Sequence, residues 1–150
     1  MRAVLVRAVL GVLLVGLVLA GIARAAVTDG DGFQVIVNPD NPLVTVDHGF
    51  LRDIYLKRAT EWQTGAPVRP LDLSTRFPAR VRFTREVLRK TSPQLRTYWN
   101  QQIFSGKGVP PPEADSTSAV IAYVLDNPGA IAYVPANANP GRAKVIKVQY

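Results

Sequence analysis

The sequence has 150 residues, with 18 Lys and Arg against 11 Asp and Glu, a net charge of +7, one histidine and no cysteine. These counts exclude a disulfide scaffold, thiol catalysis and a zinc site of ordinary Cys/His type, and they allow one domain with a real core but not two. Three of the 18 bases (Arg2, Arg7, Arg24) fall in a leader, so the remainder carries 15 bases against 11 acids, a net +4 that does not mark a nucleic-acid binder.

Residues 1–25 read as a secretory signal peptide. Arg2 and Arg7 form the positive n-region, Ala8 to Ile22 is apolar without a charge, and Ala23-Arg-Ala25 supplies small residues for cleavage before Ala26. An uncleaved anchor is the alternative, but the apolar run of about 15 residues is shorter than the roughly 20 that span hydrocarbon. Residues 26–150 are then the mature domain, periplasmic or secreted, and the membrane enters only through the export signal.

The mature part opens with Phe33-Gln-Val-Ile-Val37, alternating and β-branched, as a strand, followed by the turn cluster Asn38-Pro-Asp-Asn-Pro42. Asp47 caps a predicted helix over His48 to Arg58 whose stripe is Phe50, Leu51, Ile54 and Tyr55. Trp62, Gly65 and Pro67 fall in a loop, and Pro67 to Leu71 is a short strand. A helix is expected over Pro78 to Lys90, with Phe77, Val81, Thr84 and Leu88 on its apolar face and Val87 and Phe83 widening it. Arg82, Arg85, Glu86 and Arg89 take the opposite arc, without interleaved aromatics, as a solvated face.

Ser92-Pro93 opens a helix with Leu95, Trp99 and Ile103 at i, i+4 and i+8, and the glycine- and proline-rich stretch 105–112 is a loop. Residues 116–126 read as a helix buried on several sides, because Ala119 to Leu125 is apolar all round, and Asn127-Pro-Gly129 stops it. Ala130-Ile-Ala-Tyr-Val134 is a strand, and Lys144-Val-Ile-Lys-Val148 a last, half-exposed one. Helices interleaved with short strands give a single α/β domain.

Three phrases carry a family resemblance. Leu51-Arg-Asp-Ile-Tyr-Leu-Lys57 with Trp62 resembles the "L-x-D-I-(Y/F)-L-G-K…W" helix and loop of type II periplasmic binding proteins, especially the phosphate-binding protein of phosphate ABC transporters. Ser105-Gly-Lys-Gly108 ahead of a capped helix resembles a second phrase, and Pro128-Gly-Ala-Ile-Ala-Tyr-Val134 is similar to the family's "PGAIGYV". Together they cover about residues 43–148, the second lobe of such a protein; its first lobe has no counterpart in these 150 residues. The resemblance implies an α/β fold, a single lobe of the periplasmic-binding-protein-like (type II) kind, with a small mixed sheet flanked by helices.

It also implies a non-enzymatic function, the capture of phosphate or another small anion in connection with an ABC transporter, without a cofactor or metal. In the family, an "R-x-x-G-S-G-T" phrase opening a helix contributes ligand contacts. Here the corresponding stretch is Val68-Arg-Pro-Leu-Asp-Leu-Ser-Thr-Arg-Phe-Pro78, where Asp72 stands at the place of the arginine and Pro78 removes one helix N–H. Ser74, Thr75, Arg76 and Arg80 remain as candidate ligand-binding residues: two hydroxyls, and two cations at i, i+4 beside a helix start whose dipole favours an anion. The plain alternative is that the hydroxyls cap the helix and both arginines are solvated.

A second functional expectation is an interaction module that binds a protein partner or itself, on the apolar helix 119–125 and the surface another lobe would cover. Catalysis has little to build on. The lone His48 begins a helix, no G-x-S-x-G marks a nucleophile, and Ser105-Gly-Lys-Gly108 lacks phosphate-loop spacing.

Overall fold

The computed structural model describes residues 32–150; the expected signal peptide lies outside the described residues. A five-stranded mixed sheet is built in the order β2-β7-β1-β6-β3 from β2 (Thr45–Asp47), β7 (Lys144–Gln149), β1 (Phe33–Val37), β6 (Ala130–Pro135) and β3 (Arg69–Pro70). The centre is antiparallel, with Val35 opposite Tyr133 of β6 and Ile146 of β7, while the outer pairs β2–β7 and β3–β6 run parallel. Strand β6 is continuously apolar and its Ala130 to Val134 are buried, as a strand covered on both faces must be. Strand β7 alternates, with Ile146 buried between exposed Val145 and Lys147.

Among the described residues four helices accompany the sheet: α1 (His48–Tyr55), α2 (Pro78–Glu86), α3 (Ser92–Phe104), which packs on α2, and α4 (Thr117–Asp126). Asp47 caps α1 as its sequence indicates, its carboxylate accepting from the Phe50 amide at 2.9 Å. The helix stops short of Arg58, because Lys57 takes the left-handed conformation at φ 57°. Thr91 and Gln94 form a capping box on α3, and Ser116 caps α4.

A two-stranded parallel ribbon, β4 (Asp72–Leu73) with β5 (Glu113–Ala114), ties the lead-in of α2 to the lead-in of α4. Between α4 and β6, Gly129 is demanded by space: a side chain there would run into the carbonyl oxygen of Pro67, and that close approach lets the Trp62 indole donate to the Gly129 carbonyl at 3.2 Å.

Three helical faces differ from expectation. In α2 the buried residues are Ala79, Arg80, Phe83 and Thr84, continuing to Val87 and Leu88, while Val81 is 47% exposed. The face is therefore turned toward Phe83, which stacks flat on Tyr133 of β6 with ring centroids 3.8 Å apart. In α3 Leu95 and Trp99 are buried, but Ile103 and the adjoining Phe104 lie beyond the core and are exposed. Helix α4 is not buried on several sides. Val120 and Val124 face the core, Ile121, Tyr123 and Leu125 are half-buried, and Ala119 and Ala122 are exposed. Among the described residues, no helix is long and apolar enough to cross a membrane.

Candidate functional site

Strand β4 delivers Asp72 to the interior and then opens into the turn Ser74 to Phe77 before α2. The Ser74 amide donates to the Ala114 carbonyl at 2.9 Å, and the Phe77 amide to the Ser74 carbonyl at 3.1 Å. Phe77 is the N-cap of α2 and offers no side-chain acceptor, with Pro78 at the first helical position. Ser74 and Thr75 therefore do not cap the helix. Ser74 is half-buried and Thr75 is exposed on the turn.

The two arginines have opposite surroundings. Arg80 is buried (8% exposed) and forms an ion pair with Asp72; Glu113 lies 3.5 Å from its other nitrogen. Asp72, itself 3% exposed, also accepts from the Tyr133 hydroxyl and from the Leu73 amide at 3.0 Å. A buried charge requires a partner, and Asp72 supplies to Arg80 what a bound anion would otherwise supply. Asp72 thus holds the position of an internal counter-ion.

Arg76 is exposed and reaches the Asp115 carbonyl at 2.5 Å and its carboxylate at 3.5 Å, which pins the turn beside the start of α4. A surface pair of this kind contributes about 0–1 kcal/mol, so a ligand can take Arg76 from Asp115 at small cost.

At α4 the Ser116 hydroxyl accepts from the Ala119 amide at 3.1 Å and the Val120 amide donates to the Ser116 carbonyl. The Thr117 and Ser118 amides then stand at the positive end of the helix without an intrahelical acceptor. The start of α2 is poorer: Pro78 has no N–H, and the Arg80 amide is bound to the Phe77 carbonyl at 2.9 Å. A shallow depression beside α2 adds Arg82 and Arg85 to Thr75 and Arg76, although Arg82 is paired with Glu86 at 2.7 Å. By sequence those arginines read as a solvated face; their position one to two turns from Pro78 is the available signal. Asp115, Glu113 and Tyr133 carried no local signal, since each meets its partner only across the fold.

His48 and the Ser105–Gly108 loop are placed elsewhere. Half-buried His48 has its Nε2 3.0 Å from the Glu86 carbonyl, and Lys107 lies in the exposed turn after α3. Among the described residues no cluster of His, Cys, Asp or Glu is arranged to hold a metal ion.

Burial raises the Tyr133 and Tyr55 hydroxyl pKa values well above the ordinary 10.0, against a smaller lowering by the Arg80 charge. Unfolded tyrosines lose their protons first, so stability should hold below pH 10 and fall as pH rises through and above it. Urea denaturation midpoints measured across that interval check the sign; a midpoint that rises there would contradict the burial of both hydroxyls.

Neither a protein-family model nor a curated protein matches the sequence. Solved structures do match. An ABC-type phosphate transport receptor from Vibrio cholerae superposes with a TM-score of 0.63 at 17% identity, over 78% of this chain and 46% of the receptor. A phosphate-bound crystal structure from Clostridium perfringens gives 0.59 at 19% identity, over 78% and 44%. The fold is that of one lobe of a periplasmic binding protein. The PstS of Borrelia burgdorferi agrees, with a TM-score of 0.58 at 12% identity over 78% of this chain and 47% of PstS. The chain thus spans less than half the length of these binding proteins, and at such identities the likeness establishes the lobe's fold alone.

Proposed function

We propose that the chain is an exported, non-enzymatic solute-binding lobe that takes a phosphate-like anion, in association with an ABC transporter. The observation that carries this reading is the joining of the Ser74–Phe77 turn to the start of α4 by the β4–β5 ribbon. An oxyanion there would meet the Thr75 and Ser74 hydroxyls, the Arg76 guanidinium and the Thr117 and Ser118 amides. Arg80 acts from behind: its charge is balanced by Asp72, so it holds the turn rather than closing on the ligand. The solved relatives named for phosphate, one with phosphate bound, support the ligand class. One lobe leaves much of a small anion in water, so affinity for the lobe alone should be weak. Calorimetric titration with inorganic phosphate should give saturable heat in the millimolar range, reduced by Arg76→Ala; no heat at millimolar phosphate would overturn the reading.

The second reading, a ligand-free interaction lobe that binds a protein partner or itself, is favoured by one observation. Asp72 already neutralises Arg80, as an anion would. Light scattering separates the two, because a strict monomer that binds phosphate excludes it.

A further inference from the structure

At the other end of the sheet, where β1 leaves and β3 and β6 begin, a cavity of about 530 Å³ opens between the 38–47 segment, the Trp62 loop and the α4–β6 turn. It lies one strand length from the anion end, about 16 Å along Arg69 to Ser74. The volume falls within the roughly 300–1,000 Å³ of small-molecule sites. Phe50, on the first turn of α1, and Trp62 line it, with ring centroids 6.1 Å apart at 57°. The Trp62 indole N–H is already bound to the Gly129 carbonyl, so these rings offer apolar and π surface rather than a donor.

The charges around the cavity run against the charge of the chain. Asp40, Asp47 and Asp126 line it against a single cation, Arg69, in a protein of net charge +7. Among the described residues none of these four forms an ion pair. Arg69 is tied to the wall by the Asn127 side-chain oxygen at 3.1 Å, and one oxygen of Asp47 caps α1. Asp126 is the last residue of α4, whose final turn has no basic residue, so its carboxylate sits at the negative end of the helix dipole. A cation bound beside it would relieve that repulsion.

We propose that this cavity is a second ligand site, for an organic cation with a flat apolar body and an amidinium or ammonium head. The body lies against Phe50 and Trp62, where cation–π attraction adds to burial, and the head faces Asp126 and Asp40. The site is unsuited to phosphate, which the three carboxylates repel.

Three probes of nearly one shape test it on the purified protein by calorimetry: benzamidine as the cation, benzamide as the neutral form and benzoate as the anion. Benzamidine should bind saturably, at least tenfold more tightly than benzoate. The exposed pair Asp40→Asn with Asp126→Asn should bring it down to the level of benzamide without lowering the denaturation midpoint, which relief of the helix-dipole repulsion at Asp126 should if anything raise. Millimolar phosphate should leave benzamidine binding unchanged, which keeps this site's outcome separate from that of the anion end. Equal binding of all three probes, a preference for benzoate, or no saturable binding of benzamidine would overturn the assignment. So would tighter binding of a blocked arginine amide lacking the aromatic body, which would indicate a partner's side chain instead.

Discussion

Replacing Arg80 with alanine should lower the unfolding free energy by about 3–5 kcal/mol, the range for removing one member of a buried ion pair. The effect has two parts. Asp72, 3% exposed, is left as an uncompensated carboxylate, and its hydrogen bond from Tyr133 then stabilises a charge that has no counter-ion. Glu113, half exposed on the neighbouring strand, adds repulsion that Arg80 now offsets. Replacing both partners, as Arg80→Met with Asp72→Asn, should recover part of the loss, because the charge is gone while Asn keeps an oxygen to accept from the Tyr133 hydroxyl and the Leu73 amide. Urea denaturation of the two single variants and the double variant measures the coupling. A loss under about 1 kcal/mol for Arg80→Ala would mean that water reaches the pair, as it does in surface ion pairs.

The second large effect is expected at Phe83. Its ring is fully buried, stacks on Tyr133 at 3.8 Å and meets Tyr55 edge-on at 4.7 Å. Phe83→Ala removes those contacts and leaves a cavity between α2 and β6 that the sheet cannot close, for a cost of about 3–5 kcal/mol. Val81→Ala, two residues away and 47% exposed, should change stability by less than about 0.5 kcal/mol. The pair tests the rotation of α2: comparable losses at both positions would place Val81 in the core and contradict the packing described above.

The order of elements was legible because strong local signals mark it. Alternation marks β1 and β7, Asp47 and Ser116 cap α1 and α4, and Asn127-Pro-Gly129 stops α4 just ahead of β6. What escaped depends on partners distant in sequence. The three- and two-residue strands β2 and β5 exist only because β7 and β4 offer them hydrogen bonds.

Helical periodicity located α2 but not its inward face, since Arg80 counts as polar until Asp72 and Tyr133 are brought against it from β4 and β6. Ile103 kept the period of Leu95 and Trp99, yet α3 continues past the edge of what it packs on. The uniformly apolar wording of α4 does not mean burial all round; small alanines occupy its solvent side.

The candidate site was legible in part. Ser74, Thr75 and Arg76 could be named from a helix lead-in and a family phrase, whereas the neutralisation of Arg80 and the approach of Asp115 are properties of the assembled lobe.

We propose that a small oxyanion meets this lobe between the turn before α2 and the start of α4. Amide chemical shifts followed by heteronuclear NMR during a titration with inorganic phosphate test it directly. Saturating shifts are expected for Ser74–Phe77, Ala79 and Thr117–Ala119, with the Trp62 and Gly129 signals unmoved. Shifts elsewhere alone, or none at tens of millimolar phosphate, would contradict it.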